Sequence, residues 1–496
     1  MAKNLGKKIA DLRMPHEWWE QARSMTRNFH MHFGPTNSGK TYSALEYLKK
    51  APKGVYCAPL RLLAAEVYEN LNKSGIKCSL ITGQEIKIVP DASHVACTIE
   101  SLKLTEKYDC AVVDEVQMIA DESRGSAWTN AILGLQAKEI HLTGEPRSKN
   151  LLFNIFDRTK DSYSEYLYKR MSSLRLCPPI VSTNELKPGD CLIAFSRRKC
   201  HAIKNFIEKK QPGSCAIIYG NLPPEVRKNQ AERFNSQQQK YLIATDAVGM
   251  GLNYKIDRII FMETSKHDGK KKRRLFPYEI KQIAGRAGRY MSNGYVTSTT
   301  MSDFKEINIA LSYNQEIKID RAGLTPFYEQ LEEFAEFNFS SGKSLTYSNL
   351  LTQFSKFAKL ENIYFLQSIY EACCIANSIQ SIGLSLQQMH LFCNIPIRIK
   401  NSAVLKVAQI FAGEIKKEKE VKFINYDDNL KDMNLENLEN IYNLCEMYHA
   451  LSRKFGREMF VDCTDVRAFC LLVSMEIQDR LNKEENAMLE FQLSQN

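Results

Sequence analysis

Short apolar runs recur along the first three hundred residues, separated by stretches in which apolar and polar positions fall at helical spacing. MHF (31–33), GVYCA (54–58), SHVAC (93–97), CAVVD (110–114) and EIHLT (139–143) form a first series. CLIAFS (191–196), CAIIYG (215–220), YLIATD (241–246), RIIFME (258–263) and GYVTS (294–298) form a second. Runs this short, alternating with helical segments, predict parallel strands joined by crossover helices. Two α/β units in tandem are expected, with their boundary around residues 155–170.

Beyond about residue 310 the alternation fades. Thr325-Pro326 reads as an N-cap with proline at the first helical position, followed by Phe327, Leu331 and Phe334 on one face. Leu438, Ile441, Leu444, Tyr448, Leu451 and Phe455 recur at three- and four-residue steps and stop at Gly456, which predicts a buried helical stripe. The Lys/Glu run at 416–422 predicts a solvated helix face. The expected plan is a lead-in over 1–29, α/β units over 30–162 and 163–310, and an all-α C-terminal region over 311–496.

Composition narrows the class only slightly. An apolar fraction of 44% and a charged fraction of 25% are those of a globular protein. The net charge of +10 suits a polyanionic partner. The 14 cysteines include no CxxC pair, so reduced thiols are expected rather than a zinc site or a disulfide framework. His30 and His32 alternate along a predicted strand and read as structural. No run of about 18 apolar residues occurs, so no membrane span is expected. The first thirty residues carry no signal-peptide core and include Asp11, Glu17 and Glu20. A cytoplasmic location is expected, or the mitochondrial matrix if a presequence has been removed.

Chemistry enters at Gly34-Pro35-Thr36-Asn37-Ser38-Gly39-Lys40-Thr41, which fits GxxxxGK[ST] between a predicted strand and a predicted helix. Backbone N–H groups of such a loop wrap phosphates because glycine allows close approach. Lys40 would reach the β- and γ-phosphates of ATP, and the Thr41 hydroxyl would ligate Mg²⁺. CAVVDEVQ then delivers Asp114 and Glu115 at a strand end. Asp114 would hold the metal, and Glu115 would orient or deprotonate the attacking water. QIAGRAGR places Arg286 and Arg289 more than 240 residues beyond Lys40, so they must reach the phosphates from another domain. An arginine supplied across a cleft makes hydrolysis depend on closure.

With these motifs in order, the chain resembles superfamily 2 helicases, and more narrowly the RNA helicase of the mitochondrial degradosome and its bacterial relatives. DLRMPHEWWEQAR, GPTNSGKTY, APLRLLAAE, SHVACTIE, DEVQMI, RGSAWTNAILGL, HLTGEP, YKR, YGNLPPE, ATDAVGMGLN, QIAGRAGR and RAGLTP carry the likeness, from about residue 11 to residue 480. The resemblance implies two RecA-like domains with a helical region walling a nucleic-acid tunnel. It implies that Thr143-Gly144-Glu145 couples hydrolysis to domain movement. Thr245 would face RNA phosphate, Gly251 and Asn253 the ribose of ATP, and Gln282 the attacking water. Arg61 and Thr98 would contact the nucleic-acid backbone. It further implies a 3′-to-5′ motor on single-stranded RNA or 3′-tailed duplex, tolerance of DNA and of other NTPs, and an exoribonuclease as partner class.

Three features depart from that pattern. Lys270-Lys271-Lys272-Arg273-Arg274 fills a stretch where relatives can carry a strand-separating hairpin, and its charge suits phosphate contact. The long N-terminal extension of mitochondrial members is lacking. The chain also ends in a polar tail at 483–496, so family tail contacts are not carried over. Two rival readings remain at this stage: a DNA helicase or translocase, and a nucleotide-gated RNA-binding scaffold that does not unwind.

Overall fold

The computed structural model describes residues 9–249, 253–268, 271–288, 292–313, 317–340, 345–399, 401–424 and 430–493. Of the expected functional positions, Gly251, Arg289 and Lys270 lie outside the described residues.

Eight strands make the first sheet: β1 Asn28–Phe33, β2 Gly54–Ala58, β3 Cys78–Ile81, β4 Ile86–Lys87, β5 His94–Thr98, β6 Lys107–Val113, β7 Gln136–Gly144 and β8 Ser162–Leu167. Their order is β4-β3-β5-β2-β6-β7-β1-β8, and every pairing is parallel except that of β4 with β3. The inner strands are apolar on both faces because helices cover both, as the fully buried β2 illustrates. Among the covering helices are α1 (Lys40–Lys50), α2 (Arg61–Lys73) and α3 (Gly125–Gly134). The sheet includes β3, β4 and β8, which the apolar runs did not reveal, because these strands are short or half exposed.

The second sheet contains β9 Leu174–Leu176, β10 Asp190–Ile193, β11 Cys215–Ile218, β12 Tyr241–Ala244 and β13 Arg258–Phe261. A hairpin of β14 Ser265–His267 and β15 Lys272–Arg274 follows, and β16 Gly294–Ser298 completes the sheet. The order β11-β12-β10-β13-β16-β9 is wholly parallel. The chain therefore changes sheets between Leu167 and Leu174. Helices α4 (Pro224–Asn235) and α5 (Pro277–Ala284) belong to this unit.

The remainder is helical, with one small addition to the expected all-α plan: β17 Ala322–Leu324 pairs in parallel with β18 Tyr364–Leu366. A Cβ at Gly323 would lie 3.0 Å from the Ser126 nitrogen, so only glycine lets this pair press on the start of α3. The stripe predicted over 438–455 lies in a 21-residue helix, Leu435–Phe455. Its buried face joins Leu192, Ile217, Ile243 and Ile260 of the second sheet in one core. Ala322, Leu324 and Tyr364 instead join the core of the first sheet. The helical region is thus packed against both sheets, which fixes the walls of the cleft between them.

The lead-in is held by one buried cation. Arg27 is 1% exposed; its Nε donates to Asp161 at 3.0 Å, and its NH1 donates to the Ile132 and Leu135 carbonyls at 3.1 and 3.0 Å. Those carbonyls end α3, where a positive charge is favoured by the helix dipole.

Candidate nucleotide site and strand path

Because the strands are parallel, their carboxyl ends share one edge, and the segments leaving β1, β6 and β7 meet there. Gly39 has φ of +81° and opens α1, so backbone N–H groups of the loop 34–41 gather at a helix N-terminus. Lys40 Nζ donates to the Pro35 carbonyl at 3.2 Å, folded over its own loop. Thr41 Oγ1 donates to Asp114 Oδ1 at 3.3 Å. Tyr56 OH donates to Asp114 Oδ2 at 2.8 Å, and Thr143 Oγ1 donates to Asp114 Oδ1. Asp114 is therefore buried and tied to α1, β2 and β7 at once.

Burial pushes the Asp114 carboxyl above its ordinary value, and the adjacent Glu115 adds to the push. Hydrogen bonds from Thr143 and Tyr56 and the charge of Lys40 oppose it. Thr41 and Asp114 present only oxygen donors, which is the chemistry Mg²⁺ takes, and a cation there would favour the ionised carboxylate. Glu115 adopts φ of +53°, an uncommon conformation for a side-chain-bearing residue. Its carboxylate accepts from Gln117 Nε2, while Gln117 Oε1 accepts from the Glu145 nitrogen at 3.1 Å. Gln117 thus links the acidic pair to the segment after β7. A Cβ at Gly144 would fall 2.6 Å from Gln117 Oε1, so this link requires glycine there.

The second sheet meets this edge directly. Asn37 Nδ2 donates to the Gly288 carbonyl at 3.0 Å, and a Cβ at Gly285 would lie 3.0 Å from Thr36 Cβ. Arg170 bridges both sides: its NH1 donates to the carbonyls of Thr36 at 3.2 Å and Gly285 at 2.7 Å. The Arg147 guanidinium sits 4.1 Å from the Tyr278 ring centroid on α5. Arg286 Nε donates to the Gly249 carbonyl at 3.0 Å. Burial lowers the Arg286 pKa, and the carboxylates of Glu115 and Asp114 work against that from across the cleft. Gln282 lies on α5 beside Gly249.

Gly34, Pro35, Thr36, Asn37, Ser38, Gly39, Lys40, Thr41, Asp114, Glu115, Gln282 and Arg286 thus border one inter-sheet cleft. Asn253 borders it too, but its Nδ2 donates to Glu66 Oε1 of α2 at 2.6 Å. Gln117 and Arg170 were quoted within DEVQ and YKR but given no task. Their signal was position alone: a polar residue two after the acidic pair, and a cation between the sheets.

The expected strand contacts are spread along the same edges. Thr98 ends β5 and shares a 2.9 Å hydrogen bond with Ser101. Thr245 follows β12 and accepts from the Ala247 nitrogen at 3.3 Å. Arg61 starts α2 but pairs with Glu446 of the helical region at 2.7 Å. In the basic stretch, Arg273 pairs with Glu279 at 2.7 Å and Arg274 pairs with Glu306. Those two charges are thus spent on pairs with α5 and the helix Met301–Ser312, leaving Lys271 and Lys272 as the described candidates for phosphate contact.

Residues 15–168 match the DEXQ-box helicase domain of Suv3, and residues 173–291 match the helicase conserved C-terminal domain. The chain is 40% identical to the Arabidopsis thaliana DExH-box ATP-dependent RNA helicase DExH16, mitochondrial, over 90% of this chain and 79% of that one. Identity to DExH18, mitochondrial, of the same plant is 40%, covering 96% of this chain and 62% of the relative. Human ATP-dependent RNA helicase SUPV3L1, mitochondrial, is 38% identical over 93% of this chain and 61% of its own length. The chain therefore spans about three fifths of several of its relatives. The Escherichia coli DEAH/RHA helicase HrpB shares the fold, with a TM-score of 0.51 at 11% identity over 88% of this chain and 59% of that one. Two tandem RecA-like domains, the ordered helicase motifs and extended identity to Suv3-type proteins place the chain in the Suv3 family of DEXQ-box superfamily 2 helicases.

Proposed function

We propose that this chain is an ATP-dependent RNA helicase that couples hydrolysis to 3′-to-5′ movement along single-stranded RNA and opens 3′-tailed duplexes in RNA turnover. The observation that carries the proposal is the direct meeting of the phosphate loop with the QIAGRAGR segment through Asn37, Arg170 and Gly285. Hydrolysis that needs both sheets is sensitive to their separation, and that sensitivity converts chemistry into motion.

In this reading the loop 34–41 wraps the phosphates and Lys40 leaves the Pro35 carbonyl for the β- and γ-phosphates. Thr41 and Asp114 would hold Mg²⁺, which would neutralise charge on the phosphates. Glu115 takes the proton of the attacking water, with Gln282 beside it. Arg286, joined by Arg289, stabilises charge on the transferred group. Gly251 and Asn253 face the ribose, which requires Asn253 to exchange Glu66 for ligand. The segment before Gly34 carries no adenine-reading Q motif of the DEAD-box type, which fits loose base selection.

Arg61, Thr98 and Thr245 take backbone phosphates, giving grip without base preference. The names of the relatives support RNA over DNA and a mitochondrial location; an exoribonuclease as partner class follows from the resemblance alone. Among the described residues no helix is long and apolar enough to cross a membrane.

The test is ATP hydrolysis with and without single-stranded RNA or matched DNA at fixed salt, beside Glu115→Gln. Stimulation by RNA, falling about 10²–10⁴-fold in the variant, is expected. Stimulation by DNA alone would replace the reading with a DNA motor. Turnover without strand separation on 3′-tailed duplexes would favour a nucleotide-gated scaffold.

A further inference from the structure

A second group of charged side chains, unused by the hydrolysis machinery, lies where both RecA-like domains meet the helical region. Arg61 comes from α2 and Arg227 from α4. Arg398 immediately precedes helix α6 (Ser402–Lys416), and Arg453 lies on α7 (Leu435–Phe455). Two buried carboxylates of α7 face them: Glu446, 15% exposed, accepts from Arg61 NH1 at 2.7 Å, and Glu439, 3% exposed, attracts Arg398 and pairs with Arg197 at 3.2 Å.

Arg453 donates to the Thr82 carbonyl at 2.7 Å, but Arg227 and Arg398 donate no side-chain hydrogen bond among the described residues. The Arg227 Nε is moreover fully shielded and without a partner. An unpaired buried donor is costly, so its presence calls for an acceptor. Arg227 feels the repulsion of Arg61, and Arg398 feels the attraction of Glu439 and then of Glu446, so the guanidiniums share one field. Planar donor forks with a shielded, unpartnered Nε among them are the arrangement that a phosphate satisfies.

We infer that Arg61, Arg227 and Arg398 form one phosphate-binding site for an RNA backbone, in which the Glu446 carboxylate stands where a strand phosphate binds and yields Arg61 to it. The inference rests on the helicase reading above. It assigns α7 a task that a buried helical stripe alone does not imply: its Glu446 competes with the strand, and each arriving phosphate must displace it.

The electrostatics make displacement easy near neutrality. Burial pushes Glu446 up to about 7, opposed by Arg61 and Arg453 and reinforced by Glu225. The groups around it are Arg61 on α2, Glu225 on α4, Arg398 before α6, Tyr442 and Arg453 on α7, and Cys470 on the following helix. Protonation removes the charge that holds Arg61. Strand affinity of the native protein should therefore rise as pH falls from 8 to 6, through the Glu446 value of about 7.

The experiment is fluorescence-anisotropy titration of the full chain with a labelled single-stranded oligouridine, at pH 6 and 8 and at several salt concentrations. Glu446→Gln should bind about three- to tenfold more tightly at pH 8 and lose most of the pH dependence. Arg227→Ala should bind more weakly at every pH, with the salt slope reduced by about 0.7 for one lost phosphate contact. Unchanged affinity in Glu446→Gln, with the native protein binding measurably, would overturn the inference and leave the helicase reading standing. If that variant does not fold, a native affinity that is flat from pH 6 to pH 8 overturns it equally. Absence of native binding to the oligouridine in folded, ATP-binding protein would overturn the helicase reading itself.

Discussion

The two polar clusters between the RecA-like domains are built on opposite plans. At the proposed hydrolysis cleft the polar groups are held by partners of the cleft itself. Asp114 receives hydrogen bonds from Thr41, Tyr56 and Thr143, and Arg286 is seated on the Gly249 carbonyl. At the strand path Arg61 has one carboxylate partner, and Arg227 and Arg398 donate no side-chain hydrogen bonds among the described residues. Chemistry rewards pre-organisation, because a misplaced acid or base loses the transition state. A path that must release and regain phosphates at every step is better served by donors with few fixed partners. On the proposed reading, rigidity is placed where bonds break, and exchangeable pairing where a polymer passes.

Arg286→Ala probes the rigid side. RNA-stimulated hydrolysis should fall by about 10³–10⁵-fold while strand binding persists, because the lost charge acts on the transition state. Hydrolysis within tenfold of native would break the comparison by showing that the seated arginine is dispensable.

Arg170→Ala should have a smaller effect. It removes the bridge from Thr36 to Gly285, and charge-assisted hydrogen bonds of this kind contribute about 1.5–3 kcal/mol each. The expected result is a raised KM for ATP and a lowered Tm, with some stimulation by RNA retained. Loss of RNA binding with normal KM would move Arg170 to the strand path.

Lys228→Ala should do least. Lys228 lies next to Arg227 and spans the domains to Glu69 at 2.8 Å, but the pair is 46% and 40% exposed and screened by solvent. An effect of about 0–1 kcal/mol on stability and little change in strand affinity is expected. A salt slope that falls as in Arg227→Ala would extend the phosphate site to this lysine.

The contrast also explains which parts could be read in advance. The strands before Gly34, Asp114 and Thr245 were legible because fully buried parallel strands are short apolar runs. β8 escaped because an edge strand bearing exposed Tyr163, Tyr166 and Leu167 has no such run. The short pair β17 and β18 was hidden inside a region whose dominant period is helical. Asn253 was expected at the ribose, and its hydrogen bond to Glu66 could not be foreseen from a motif whose partner lies 187 residues away.

By itself, the order of residues determined the two α/β units and the phosphate loop with its acidic pair. Each of these depends on neighbours within a few positions: a strand, a tight turn and the start of a helix, all set by local steric and hydrogen-bonding rules. Only the tertiary structure decided that Gln117 ties Glu115 to Glu145, that Arg170 fastens the phosphate loop to the opposite domain, and that Glu446 faces Arg61. Those contacts join distant segments through side-chain reach and the packing of sheets and helices, and no local spacing encodes which charged group will meet which across a cleft.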